Sequence, residues 1–444
     1  MPKLVFIGAG SMVFAKNLLG DILSYSELAD SEIVLMDIDD HRLEQTKRAA
    51  QTMIETGGVE ATVQATTDRR EALEGADYVL NMINVGGTEP FENEIRIPEK
   101  YGVKQAIGDT LGPGGIFRGL RTIPAMLNIA ADMEDLCPDA LLLNYTNPMA
   151  ILCWALEEAT NVDVVGLCHS VPHTAEALAS YVGADVEDLS YWVAGINHMA
   201  WFLETEVNGR DVYPTLYEAM EDPEIYERDT VRFELLRHFG AFVTESSHHM
   251  SEYVPYFRTE AEIIEKMTGT NYAERMPTAT YLEGWKVRSK ERDRATFDDE
   301  DLRIERSEEY AARIIHSVET GQPRRLNLNV SNAGGVIGNL AEDACVEVPC
   351  LVDDRGINPC TVGDLPPQLA ALNRSNIDVQ RLAVKAALEH DQDALRQAIK
   401  LDPLTAAACT LEEIDDMVTE LLDANVDYLP DGLVQDVHKM TRSH

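Results

Sequence analysis

Side chains able to hold a cation or move a proton recur in the middle of the chain: Cys168-His169-Ser170, Asn197-His198 and His248-His249, then the aromatic run Ser251-Glu252-Tyr253-Val254-Pro255-Tyr256-Phe257. Cys168 and His198 can offer a thiolate and an imidazole to a divalent metal and still leave positions open for substrate oxygens. Two donors make a poor structural zinc site, and from spacing alone a buried structural cysteine and a satisfied core histidine are the stronger reading. His248 and His249 read equally as ligands or as polar surface. In the aromatic run the plain reading is a packed cluster with hydroxyls at its edge. The chemical reading is a tyrosine whose pKa falls beside a cation until it can serve as a base.

A second constellation opens the chain, Gly8-Ala9-Gly10-Ser11-Met12-Val13. Gly8 permits a tight turn, and Gly10 lets the backbone approach a pyrophosphate held where Ser11, Met12 and Val13 begin a helix. Val13 stands where a generic dinucleotide fingerprint has its third glycine, and a glycine turn after a strand is often only a turn. Asp37 follows at the interval where an acidic residue receives the adenosine ribose hydroxyls; it would repel a 2′-phosphate, which favours NAD over NADP. Gly86-Gly87 offers a second close backbone approach or a plain loop.

The elements that must carry these groups are legible as a rhythm. Short apolar runs at 4–7, 33–36, 78–83, 141–144 and 164–168 read as buried strands, with stretches of helical period between them, such as 41–56 and 122–136. This alternation predicts a doubly wound parallel sheet, in which ligands sit at the carboxyl ends of the strands. From about Tyr191 the alternation gives way to polar and aromatic segments, a charged stretch at 286–306 and a Gly/Asn-rich one at 327–339; 376–398 and 411–422 are helical by period. The expected fold is α/β: a Rossmann-type domain over residues 1–190 fused to a mixed α+β catalytic and oligomerisation lobe over 191–444, organised like lactate and malate dehydrogenases.

Composition excludes several classes. Lys and Arg total 37 against 77 Asp and Glu, a formal net charge of −40, so nucleic acid would be repelled over most of the surface. An acidic coat of this size suits a protein kept soluble in strong brine, and a halophilic source is the expectation. The seven cysteines are odd in number and widely spread, unlike a secreted disulfide framework, which points to a reducing cytoplasm. No basic region or cleavage site accompanies the apolar run near Met1, and no apolar stretch approaches the ~20 residues of a membrane span.

Taken in order, Gly8-Ala9-Gly10-Ser11, Gly108-Asp109-Thr110-Leu111-Gly112-Pro113-Gly114-Gly115, Asn144-Tyr145-Thr146-Asn147-Pro148, Gly166-Leu167-Cys168-His169-Ser170, Gly195-Ile196-Asn197-His198 and Ser251-Glu252-Tyr253 resemble glycoside hydrolase family 4. The longer strings at 105–121 and 244–257 look most like its α-galactosidase (melibiase) branch. NAD-dependent glycosidases stand outside the two-carboxylate scheme. The resemblance implies a bound NAD, a divalent cation, usually manganese, and redox elimination: hydride leaves sugar C3, the C2 proton is removed, the glycosidic oxygen is eliminated, water adds and hydride returns. It further implies Cys168 and His198 as metal ligands, Tyr253 as the base with Tyr256 in reserve, and Asn147 as a sugar contact. The resemblance also puts Asp109 at the position of an acidic residue near the metal, acting on its ligands from outside. His169 stands where phospho-sugar members carry Asp or Asn, which assigns it to proton donation or glycone contact. Homo-oligomers, dimers or tetramers, are implied as well.

Rival readings remain open at this stage. A uronic-acid substrate would need an arginine clamp, for which Arg118, Arg121, Arg258 and Arg288 are the donors available; an α-glucoside differs only at C4. A 2-hydroxy-acid dehydrogenase shares the glycine loop but has no use for Cys168, His198 and Tyr253 together. A non-enzymatic NAD-sensing module would need no metal.

Overall fold

The computed structural model describes residues 1–272, 282–287 and 302–434. Six parallel strands, β1 (Lys3–Ile7), β2 (Glu32–Met36), β3 (Thr62–Thr66), β4 (Tyr78–Asn81), β5 (Leu141–Asn144) and β6 (Val164–Gly166), lie in the order β3-β2-β1-β4-β5-β6. That is the order of the dinucleotide-binding fold, whose direction reverses between β1 and β4 and leaves a crevice at the strand ends there. The strands are short and almost fully buried because helices cover both faces, so period-2 alternation is absent and apolar runs carry the signal. β3 was not expected from sequence: it is a polar edge strand, TVQAT, with no fully buried residue.

The same sheet continues into the second half. β7 (Leu189–Ile196), β8 (Met199–Val207), β9 (Arg210–Asp211), β10 (Phe242–Val243), β11 (Arg324–Ser331), β12 (Cys345–Asp353) and β13 (Gly356–Pro359) extend it antiparallel to 13 strands, through the path β10-β8-β7-β12-β11-β6. Two joints in that path are one registered pair wide: Asn329 with Gly166 between β11 and β6, and Glu347 with Gly195 between β12 and β7. Cys168 lies just beyond the first joint and His198 just beyond the second.

Several boundaries differ from the sequence reading. The strands expected at 78–83 and 164–168 end at Asn81 and Gly166, where backbone is released into the site loops. The helix expected at 122–136 begins at Gly112, inside the glycine-rich string, with Pro113 in its first turn; proline suits that position because the missing N–H has no helical partner there. The helix expected at 376–398 is two helices, Pro367–Glu389 and Gln392–Leu401. They part because His390 closes the first in a left-handed conformation (φ 55°) and Asp391 caps the second.

One buried cap gives a test of the packing. Asp402 is 1% exposed and accepts hydrogen bonds from the backbone N–H (2.9 Å) and hydroxyl (2.7 Å) of Thr405 through one oxygen, while its other oxygen has no partner among the described residues. Burial, with the nearby Glu252 adding to it, pushes the Asp402 pKa up to about 6. A raised carboxyl pKa contributes stability that is fully present below the unfolded value, about 3.9, and is lost as pH rises through about 6. Asp402→Asn keeps an acceptor for Thr405 and removes the buried charge. It is expected to raise unfolding stability at pH 8 by up to about 3 kcal/mol, the gain shrinking toward zero at pH 4, as read from urea midpoints. Equal midpoints at pH 8 would show that the charge is compensated.

Candidate active site

The glycine turn after β1 has the geometry of a nucleotide cradle. Gly8 holds φ 89°, and a Cβ there would lie 2.9 Å from the Met82–Ile83 backbone. The N–H of Gly10 donates to Asp37 Oδ2 at 2.7 Å, and a Cβ on Gly10 would lie 2.8 Å from that same oxygen. Asp37 at the end of β2 is thereby fixed against the turn, at the place that suits a ribose diol. Ser11 precedes the helix Met12–Leu23 without a side-chain cap, leaving N–H groups at its start for an anion. Met12 is buried and Val13 is 43% exposed. Gly86 and Gly87, both with positive φ, lead into the helix Thr88–Lys100.

A second cluster gathers residues from five segments. Cys168 follows β6, His198 sits in the two-residue turn between β7 and β8, and Glu245 follows β10; their donor atoms all lie within 4.8 Å of one another. His198 presents Nδ1 to the Tyr253 hydroxyl at 3.0 Å and Nε2 to Glu245 at 3.4 Å. His249 packs its ring 4.6 Å from that of His198 and places Nε2 3.5 Å from both Asp109 and Glu252. Asn147 reaches Asp109 at 3.4 Å, and Arg118 donates to the Asn147 carbonyl at 3.1 Å. A thiol, an imidazole and a carboxylate converging in this way suit a divalent transition-metal ion.

The loop bearing Asp109 is held by a clamp. Glu252 accepts backbone N–H donors from Ala106 (2.7 Å), Ile107 (3.2 Å) and Gly108 (3.0 Å), and it is 4% exposed. One buried carboxylate therefore satisfies three loop donors and ties the 105–112 loop to the segment that carries His249 and Tyr253.

Electrostatics follow from burial and crowding. Burial works to raise the Asp109 pKa, but His249, Arg118 and His198 together outweigh it and hold the carboxyl below its usual range. Glu245 is likewise opposed by burial yet held well below the usual range by His198 and His249. Burial, then Asp109 and Glu252, push the Tyr253 hydroxyl well above 10, with Thr110 working the other way. The lowering considered from sequence is one that a cation beside the hydroxyl would bring. Burial and Glu245 raise the Cys168 thiol. His169, half-exposed beside the cluster, is pushed up to about 9, chiefly by its hydrogen bond to Glu309 at 3.3 Å.

The structure brings together Cys168, His198, Tyr253, Asp109 and Asn147, with His169 at the edge. Tyr256 is 47% exposed and stacks on Phe239 instead. Of the arginines considered for a carboxylate clamp, Arg121 is consumed by a buried bidentate pair with Glu94 (2.6 and 3.0 Å), and Arg258 is buried against Ser251 and the Lys104 carbonyl. Arg118 borders the site, and Arg288 lies outside the described residues. Sequence reasoning missed Glu245, Glu309 and Glu347. Glu347 on β12 is fully buried with neither oxygen partnered among the described residues; burial and then Cys168 raise its pKa well above the usual range.

Comparison with known proteins follows the same lines. The profile of "Family 4 glycosyl hydrolase" matches residues 3–184, and that of its C-terminal domain matches 193–405. An α-galactosidase of Bacillus subtilis (strain 168) is 43% identical over 442 residues, covering 97% of this chain and 100% of that one. An α-galactosidase of Rhizobium meliloti (strain 1021) is 41% identical, covering 96% and 89%. The fold is shared with a 6-phospho-β-glucosidase from Thermotoga maritima, solved with manganese, NAD+ and glucose-6-phosphate, at TM-score 0.79 and 22% identity over 96% of this chain and 99% of that one.

Proposed function

Because the chain belongs to family 4 of the glycosyl hydrolases, we propose that it is an α-galactosidase that uses NAD and a divalent cation, manganese first among candidates, to cleave its substrate by redox elimination. The observation that carries this reading is the contact of His198 with both the metal-donor set and the Tyr253 hydroxyl. Two α-galactosidases above 40% identity over nearly the whole chain support the substrate class. The fold shared with a protein solved with manganese and NAD+ supports the cofactors.

When bound, NAD would supply reversible hydride chemistry at sugar C3, and the cation Lewis-acid stabilisation of developing oxyanion charge. Gly8, Gly10 and Ser11 hold the pyrophosphate, Asp37 the adenosine ribose, and Gly86 and Gly87 approach the rest of the dinucleotide. Cys168 and His198 hold the cation. With Nε2 turned to the donor set, the ring hydrogen of His198 sits on Nδ1 and is donated to the Tyr253 oxygen, which favours the phenolate that removes the C2 proton. Asn147 binds the glycone and Asp109 orients it and His249. His169, whose Glu309 partner keeps it protonated, donates to the leaving oxygen or contacts the glycone. In this division residues 1–190 hold NAD and residues 191–444 supply His198 and Tyr253.

The test is hydrolysis of 4-nitrophenyl α-galactoside, α-glucoside and α-galacturonide, with NAD and manganese each supplied or omitted after chelator treatment. The expected result is cleavage of the α-galactoside that needs both and forms no net NADH. Preference for the galacturonide would move the assignment to a uronidase, with Arg118 as its clamp. Cleavage indifferent to both additions, or stoichiometric NADH from a 2-hydroxy acid, would overturn the mechanism.

A further inference from the structure

The donor set contains a carboxylate beyond the thiol and imidazole named above. Donors held about 2.0–2.3 Å from one ion lie no more than about 4.6 Å apart. The spread of 4.8 Å among Cys168, His198 and Glu245 is therefore closed by small side-chain rotations. The Glu245 side chain is 19% exposed, and its ion pairs are to two histidines, His198 Nε2 at 3.4 Å and His249 Nδ1 at 3.8 Å. Its Oε1 already accepts the Ser246 backbone N–H at 3.0 Å, whereas Oε2, turned to His198 Nε2 at 3.4 Å, is the oxygen placed to meet an ion shared with that imidazole.

The backbone adds an independent argument. Among the described residues, the non-glycine residues with positive φ are Asn208, His390, His198 (64°) and Glu245 (69°). Asn208 lies in the β8–β9 hairpin, His198 in the two-residue β7–β8 hairpin and His390 at a helix cap, places where a left-handed residue is ordinary. Glu245, in a connecting loop, holds that conformation at a cost of about 1–2 kcal/mol. Such strain persists where the surroundings over-determine it, commonly at functional sites. Here the strained residue is the one whose carboxylate converges with the Cys168 thiol and the His198 imidazole.

We propose that Glu245 is a direct ligand of the divalent cation, and that the chain consequently loads its metal by itself, before NAD and before sugar. A two-donor site waits for substrate oxygens to complete it, whereas three protein donors with open positions are what self-sufficient catalytic metal sites use. The proposal rests on the reading of Cys168 and His198 as metal ligands.

The experiment is manganese titration of metal-stripped, NAD-free, full-length protein, followed by the electron paramagnetic resonance signal of free aqueous manganese and by calorimetry, without sugar. One ion per chain is expected, with affinity reduced at least about tenfold in Glu245→Gln and by an intermediate amount in Glu245→Asp, which keeps the charge. NAD binding and the thermal midpoint of the metal-free variants, compared with wild type, separate loss of a ligand from loss of fold. Wild-type affinity in Glu245→Gln overturns the proposal. Uptake by wild type only when NAD and sugar are present also overturns it and leaves the redox-elimination reading standing. No uptake under any condition removes both.

Discussion

Tyr253→Phe is expected to lower kcat on the preferred glycoside by about 10²–10⁴-fold, the range that removal of a positioned general base produces. The hydroxyl is 3.0 Å from His198 Nδ1 and the residue is 1% exposed, so phenylalanine fills the same volume and deletes only the oxygen. NAD binding should be nearly unchanged, since the glycine turn loses no contact, whereas manganese affinity should fall by about tenfold because His198 loses its Nδ1 partner. Exchange of the substrate C2 hydrogen with deuterated water should disappear along with turnover. Tyr256→Phe, on the exposed face stacked against Phe239, should stay within roughly twofold of wild type. A Tyr253→Phe enzyme that still exchanges the C2 hydrogen would move the base elsewhere, whatever its kcat.

The other large effect concerns the clamp. Glu252→Gln turns an amide NH2 toward backbone N–H groups of Ala106, Ile107 and Gly108 that now share two carboxylate oxygens. Buried donors facing a donor are left unsatisfied, and the expected loss is about 3–5 kcal/mol of unfolding free energy, measured by denaturant titration. Activity should fall as well, by about 10²-fold, because Asp109 rides on the released loop and small misplacements at a reacting centre cost that much. Both readouts are needed. A variant of wild-type stability and wild-type kcat would mean that the loop holds its shape from within, through Gln105, whose side chain also bonds Glu94 and Gly114.

Much of this was legible in sequence because the parallel half writes itself as apolar runs broken at glycine turns. β1, β2, β4, β5 and β6 are short enough that two to four buried residues mark each one. Cys168 and the glycine turn could be placed because they stand at strand ends, where connectivity dictates position. β3 was illegible because an edge strand exposes one side and tolerates threonine and glutamine. Glu245 was illegible for a different reason: His198 and Cys168, the donors it joins, are 47 and 77 positions away in the chain, and its own neighbours form a serine-capped turn, Ser246 accepting from the His249 N–H. Only the antiparallel return of β10 onto β8 brings it beside His198. Glu347 reads in sequence as an ordinary member of a strand, and it takes the pairing with Gly195 to reveal a carboxyl with no water-facing side.

The two one-pair joints in the sheet divide the molecule into parts that can be exchanged and parts that cannot. In the proposed reading the loops at 105–112 and 244–257 meet the sugar, so an engineer seeking a new glycone would vary them residue by residue. Gly166, Asn329, Glu347 and Gly195 touch no substrate in this reading. Yet each joint is a single bearing point, and one sets the height of Cys168 while the other sets that of His198. A graft that respected every sugar contact but shifted either bearing would separate the thiol from the imidazole, and would deliver a correctly shaped pocket around a dispersed metal site.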